Sequence, residues 1–335
     1  MRTLMLEASS FADIELAAQL LRAGELVAIP TETVYGLAAN ALDEAAVAKI
    51  FAAKGRPQDN PLIVHVYDRE QAQSLVKAWP FTAQRLAEAF WPGPLTFILQ
   101  REERVPGIVS AGLSTLALRV PSHLAAQALL WAAGIPLAAP SANRSGSPSP
   151  TLASHVLDDL NGKIAAVLDA GPCAIGVEST VLDLTREIPL LLRPGGVSVE
   201  QLESVLGRRI ELSPALAHAL PTREAAPSPG MKYRHYAPRA QLTLVRGDLR
   251  SFFDYAVREK PDGLLVFGSD EISLNLPVLR YGDSPEEQAR QLFARLREVD
   301  ELGWRTVLVR CPPKEGLGLA VYNRLLRAAS FREVG

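Results

Sequence analysis

The stretch from Leu26 to Val66 constrains the fold of this chain more than any other. The apolar run Leu26–Pro30 ends at a proline, which fixes φ and withdraws a backbone donor, so a strand stops there. Asp43 is placed to cap a helix over Glu44–Lys54 that carries Val47, Ile50 and Phe51 on one face. Leu62–Val66 reads as a second, buried strand. Between helix and strand lies Lys54-Gly-Arg56-Pro-Gln-Asp-Asn60-Pro, two cations set in Gly and Pro with no run of carboxylates beside them. Cations held in this way either meet an anionic ligand, phosphate above all, or end a helix in solvent, where they complement its dipole.

A chain of 335 residues exceeds what one core normally supports, so two domains are expected. Hydrophobic residues make up 48% and charged residues 21%, enough to bury cores and to exclude overall disorder. The net charge of −2 supplies no global field for polyanions, so a nucleic-acid binder would need a local patch. Two distant cysteines, Cys173 and Cys311, exclude a disulfide framework and a zinc site of CxxC type. With no long apolar N-terminal stretch and no 18-residue apolar run, the expectation is a soluble cytoplasmic protein.

Helices are expected near 69–78, 82–90 and 124–133, and strands over Thr96–Gln100, Leu116–Val120, Pro136–Ala139, Val167–Asp169, Thr180–Leu184 and Leu190–Arg193. The mixture indicates an α/β domain whose topology is not readable. Residues 212–240 turn Pro/Ala/Ser-rich like a linker, yet contain Lys232-Tyr-Arg-His235-Tyr236-Ala-Pro, more rings and cations than a passive tether needs. After them, strands at 242–246, 263–267 and 306–310 alternate with helices at 249–258, 285–301 and 317–329, the pattern of a small parallel, Rossmann-like α/β domain. The expected division is 1–211, a 212–240 linker, and 241–335.

No Walker A loop, G-x-S-x-G elbow or H-E-x-x-H motif is present, so a nucleotide or substrate must be held by other means. The segments Pro30-Thr-Glu-Thr33-Val-Tyr-Gly, Lys54-x-Arg56-x3-Asn60-Pro-Leu, Trp91-Pro-Gly-Pro-Leu-Thr96, Ala139-Pro-Ser141-Ala-Asn143-x-Ser-Gly and Glu178-Ser-Thr-Val follow one another in an order that resembles the YrdC-like family. The Lys232-Tyr-Arg-His-Tyr-x-Pro element and the closing Gly318-Leu-Ala-Val-Tyr-Asn-Arg-Leu resemble the linker and tail of its long form. That resemblance implies a twisted, open α/β sheet with a basic concave cavity. It implies a nucleotidyltransferase that joins L-threonine, bicarbonate and ATP into threonylcarbamoyl-AMP and pyrophosphate. Other proteins then pass the threonylcarbamoyl group to the adenosine beside the anticodon of certain tRNAs.

Chemistry of this kind asks the protein mainly to position three reactants and screen their like charges. Lys54 and Arg56 accordingly read as a phosphate clamp. Ser141 and Asn143 offer a hydroxyl and an amide to phosphate or to magnesium-bound water, although the same residues would equally form a turn. Asn60, Ser149, Thr115 and Arg193 resemble further ATP contacts. Arg119, at a strand end, suits either the threonine carboxylate or a structural ion pair. Thr33, His65, Ser179 and the backbone of Ala139 resemble the rest of the threonine pocket. His235 and Tyr236 form either a lid over the nucleotide or an aromatic anchor for the linker. Glu32 has an open role, and Cys173 reads as packing. Mg²⁺ is expected to arrive with ATP and no protein-only metal site is expected. Two other functions compete: an RNA-binding module without turnover, and a carbamoyl transferase, which normally brings cysteine pairs and an acylphosphatase-like module that this chain lacks.

Overall fold

The computed structural model describes residues 2–218 and 236–335. Two sheets organise them. The larger has eleven strands in the order Leu4–Glu7, Ala166–Asp169, Val27–Ile29, Gly36–Asn40, Leu137–Ala138, Ile63–His65, Thr115–Arg119, Leu95–Gln100, Thr180–Asp183, Leu190–Arg193 and Glu211–Leu212. Its pairings are mixed: Ile63–His65 runs parallel to Thr115–Arg119, which is antiparallel to Leu95–Gln100. The smaller sheet has five strands, all parallel, in the order Val278–Arg280, Gly263–Val266, Thr306–Arg310, Gln241–Val245 and Glu333–Val334. Among the described residues no helix is long and apolar enough to cross a membrane.

Local chemistry accounts for the elements that frame the site. Asp43 accepts hydrogen bonds from the amides of Ala45 and Ala46, and Gly55 closes the helix Glu44–Lys54 in the left-handed region at φ 61°. In the smaller unit, Ser284 and Glu287 form a reciprocal capping box with Pro285 in the first turn of Pro285–Glu301. The helix expected over 69–78 ends at Gln73. Beyond it the sheet takes the backbone: Lys77 N donates to Gln100 O and Glu102 N to Leu75 O, bonds a continued helix would forfeit.

Strand alternation decides where the site lies. Val64, Leu116, Leu118 and Phe97 face the main core. Ile63, Ala117, Ile98 and Val181 point to the opposite face, which carries only a small apolar cluster. His65 and Arg119 are opposed in parallel register one pleat beyond Ile63 and Ala117, so both emerge on that second face.

The two units meet over the segment Ile175–Ser179. Val34, Val177 and Tyr236 belong to the same apolar cluster as Phe293, Val321 and Leu325 of the smaller unit. Gly176 sits at φ 86°, and a Cβ there would lie 2.3 Å from Ala289 O. Only glycine lets Pro285–Glu301 approach so closely.

Candidate active site

One cavity opens where the second face of the large sheet meets the smaller unit. Its walls bring together Thr33, Arg56, His65, Arg119, Ala139, Ser141, Ser179, Arg193 and Tyr236, all candidates from the sequence.

One pole is built around Arg119, buried at the end of Thr115–Arg119. Its Nη2 lies 2.6 Å from Glu32 Oε1, its Nη1 donates to Thr33 Oγ1 at 2.9 Å, and its Nε donates to Gly93 O at 3.1 Å. Thr33 Oγ1 in turn shares a 2.8 Å hydrogen bond with Thr31 Oγ1. Both alternatives for Arg119 are thus compatible with one geometry: it makes an ion pair, and the pair lies on a cavity wall. Burial works to raise the Glu32 carboxyl, but the adjacent guanidinium outweighs it and holds the group below its ordinary value. Glu32 therefore enters the site as the anion that orients Arg119.

His65 is buried and its Nδ1 has no hydrogen-bond partner within the protein. Burial, reinforced by the Arg119 charge, pushes it down to about 3 from an ordinary 6.5. The imidazole is neutral at physiological pH. The unfolded chain takes up a proton here below about pH 6.5, and the folded chain only near pH 3. Stability is therefore fully present above pH 6.5 and is lost as pH falls through that window. His65→Gln should remove this dependence. The stability difference between parent and variant should shift in the variant's favour by ~2 kcal/mol between pH 7.5 and pH 5. Urea unfolding at the two pH values measures it, and parallel stability curves for parent and variant would contradict it.

The other pole carries the polar groups that follow the helix Glu44–Lys54. Arg56 Nη2 donates to Asn60 O at 3.3 Å and Pro61 O at 3.2 Å, which bends the loop back and keeps the guanidinium on the cavity wall. Asn60 is buried, and neither atom of its side-chain amide is hydrogen-bonded within the protein. Lys54 departs from Arg56. Its buried ammonium donates to Ser141 O at 2.5 Å and Asn143 O at 2.6 Å and does not line the cavity. Burial, with the Arg56 charge adding to it, holds this amine well below its ordinary value. Lys54 thereby fixes the loop that carries Ser141, whose Oγ donates to Asn143 Oδ1 at 2.5 Å. Asn143 Nδ2 donates to Arg144 O and Ser147 O, so residues 141–147 form a cross-braced structure rather than a loose turn.

Arg193 donates to Ser179 O at 3.0 Å and Ser179 Oγ at 3.2 Å. Ser149 lies just behind the wall with its Oγ donating to Glu178 Oε1 at 2.5 Å. Thr115 lies apart, at the far end of its strand but on the Arg119 face by alternation. Tyr236 lines the cavity while stacking on Phe293 with ring centroids 5.4 Å apart, so it does what either a cover or an anchor would do. His235 lies outside the described residues.

Glu178 escapes a sequence reading that treats it only as the first letter of a motif. It is buried, lines the cavity, and pairs with Arg324 of the smaller unit at 2.7 Å. A carboxylate directly before the assigned Ser179 was the available signal. For Arg324 the sequence offers only its place in the closing Gly318–Leu325 motif, with nothing to name its partner. The four guanidinium groups of Arg56, Arg119, Arg193 and Arg324 in and behind the walls outweigh the carboxylates of Glu32 and Glu178. The cavity is cationic although the chain is not. Among the described residues no three His, Cys, Asp or Glu side chains are grouped to hold a metal ion.

Comparison with known proteins gives the same outline for the whole chain. The Sua5/YciO/YrdC family, described as telomere recombination, matches residues 19–195, and the threonylcarbamoyl-AMP synthase C-terminal domain matches residues 197–330. A threonylcarbamoyl-AMP synthase of Pyrococcus abyssi is 48% identical over 95% of this chain and 94% of its own length. One of Bacillus subtilis is 45% identical over 96% of this chain and 94% of its own. The crystal structure of P. abyssi Sua5 complexed with L-threonine superposes with a TM-score of 0.93 at 45% identity, covering 100% of this chain and 99% of that one.

Proposed function

The chain belongs to the Sua5/YciO/YrdC family and carries the C-terminal domain of threonylcarbamoyl-AMP synthases, and from that premise we propose that it condenses L-threonine, bicarbonate and ATP into L-threonylcarbamoyladenylate and pyrophosphate. The observation that supports this most is the joining of two differently built poles in one cavity. Arg119, Thr33 and neutral His65 with Ser179 and Ala139 suit an amino acid. Arg56, Arg193 and the braced Ser141 loop suit a triphosphate.

In the first step the threonine amine adds to the bicarbonate carbon and water leaves, giving an N-carboxylate. A carbamate oxygen then bonds to the α-phosphorus as the bridging oxygen to the β-phosphate departs with pyrophosphate. Three anions must meet for this to happen. Cationic walls of low mobility lower that repulsion in place, without reorganising at the moment of reaction. On the threonine side Arg119 receives the carboxylate while Glu32 holds its guanidinium in plane. On the nucleotide side Arg56 and Arg193 face the phosphates, with Asn60, Asn143, Ser149 and Thr115 as further contacts. Lys54 acts through the 141–143 carbonyls. A magnesium ion carried in by the phosphates would have Ser141 and Asn143 as the residues able to hold its water shell. When bound, that ion would offset triphosphate charge.

Residues 1–211 form the catalytic domain, 212–240 a linker from which Tyr236 reaches the cavity, and 241–335 the second domain. The product, a labile mixed anhydride, is handed in the cytoplasm to proteins that modify tRNA, and tRNA itself is not bound here. Pyrophosphate release from ATP, measured with threonine or bicarbonate omitted in turn, tests the reaction. Release should require both, and release that ignores either would exclude it.

A further inference from the structure

Three side chains within about one and a half turns of the helix Gly318–Ala328 reach back across the domain junction. Asn323 Nδ2 donates to Leu216 O at 3.0 Å, and Arg327 Nη2 donates to Ala215 O at 2.8 Å. These two grip backbone and, with the apolar cluster around Val177, serve docking. Arg324 between them does something else. It is fully buried, and its Nε donates to Glu178 Oε2 at 2.7 Å, with Nη2 3.5 Å from Glu178 O and Nη1 3.1 Å from Asn323 Oδ1. The other carboxylate oxygen of Glu178 receives Ser149 Oγ at 2.5 Å. The Arg324 guanidinium also lies over the ring of Tyr236, 5.3 Å from its centroid.

Glu178 is thus a carboxylate on the wall of a cavity that must accept a polyanion. A buried negative charge beside a triphosphate would repel it in a medium that screens poorly. Among the described residues of the large domain its cationic neighbour is Arg193, which donates to Ser179. The ion pair that Glu178 makes comes from the other domain. Burial works to raise the Glu178 carboxyl, and the charges of Arg324 and then Arg193 outweigh it, keeping it anionic. Gly195 fixes the backbone that carries it: a Cβ there would lie 2.4 Å from Glu178 O and 2.2 Å from Thr180 N.

We propose that Arg324 is a positioning residue for the nucleotide: by pairing with Glu178 it cancels a carboxylate that would oppose the phosphates, so that the second domain completes the ATP side of the site. This rests on the reading that the cavity takes ATP. It gives the second domain a task distinct from docking, and it predicts a selective defect. Arg324 reaches Glu178, Asn323 and Tyr236 rather than the Arg119 pole, so threonine affinity should not follow.

The test uses the full chain and steady-state pyrophosphate release. Parent activity dependent on ATP and threonine is read first, and its failure would refute the functional reading rather than this one. With the parent active, Arg324→Gln should raise the ATP KM at least tenfold while the threonine KM moves less than twofold. The double variant Glu178→Gln with Arg324→Gln, which removes both charges, should return the ATP KM to within threefold of the parent. An unchanged ATP KM in Arg324→Gln, an equal rise in both KM values, or a double variant as impaired as the single would overturn the proposal. If Arg324→Gln alone is insoluble, the soluble double variant and Arg324→Lys decide. An ATP KM within threefold of the parent in both supports the proposal, and a tenfold rise in the double variant, or failure of both variants to fold, overturns it.

Discussion

Arg56→Ala should lower pyrophosphate release about 10³-fold at saturating ATP and threonine, within the range found for arginines that stabilise a phosphoryl transition state. Its side chain is only partly buried, held by carbonyls of its own loop, and sits on the cavity wall rather than in a core. The fold should therefore tolerate the change, with unfolding free energy altered by less than ~1 kcal/mol. The contrast between a large kinetic and a small thermodynamic effect separates a phosphate-facing group from a structural one. A comparable loss in Lys54→Ala would have another origin, since Lys54 holds Ser141 O and Asn143 O. That variant should also lose stability, and Lys54 and Arg56 are thereby distinguishable by thermal unfolding alone.

Arg119→Ala should have the second large effect, and a double one. Losing a bidentate partner for the threonine carboxylate should raise the threonine KM about 10²-fold, the worth of a charge-assisted pair. It also strands Glu32, buried and anionic, and breaking such a pair costs about 3–5 kcal/mol. The two losses can be parted. Glu32→Gln with Arg119→Gln removes both charges, so thermal stability should largely return while threonine affinity does not. A double variant that recovers threonine binding would make Arg119 a structural ion pair and nothing more. Both measurements are needed, by calorimetric unfolding and by the threonine dependence of turnover.

What was legible in the sequence is what local rules decide. Glu44–Lys54 has a capping aspartate before it and a left-handed glycine after it, and it forms with those bounds. The smaller domain was readable from the alternation of strands and helices, which leaves a parallel sheet as the only simple outcome. The helix Phe11–Arg22 carries an equally plain stripe of Ile14, Ala17, Ala18 and Leu21 behind its Ser10 cap, a signal present but outranked by the motif-bearing segments. Gly36–Asn40 is different. Gly, Ala and Asn have no strand preference, and this strand exists because Val27–Ile29 and Leu137–Ala138 pair with it on either side.

The site divides along the same line. Residue types and their motif order point to the cavity-lining Arg56, Ser141 and Arg119, but not to the direction in which Lys54 turns. A lysine at a helix end reaches phosphate or backbone with the same sequence around it, and the choice follows from where the 141–147 loop passes. The pairing of Arg324 was illegible for a stronger reason, although its motif was visible. Its partner Glu178 lies 146 positions earlier, and only the packing of the two domains across Gly176 brings them together. Long-range charge pairs of this kind leave no periodicity and no turn chemistry to read.

The account stands on one claim: threonine, bicarbonate and ATP react together in this cavity. Radiolabelled bicarbonate supplied with unlabelled ATP and threonine tests it most directly, because only carboxylation of the amine followed by attack on the α-phosphate carries that carbon into a nucleotide. The prediction is a labelled threonylcarbamoyl-AMP formed in one-to-one ratio with pyrophosphate, and none when threonine is withheld. Pyrophosphate released with no label in any nucleotide would contradict it.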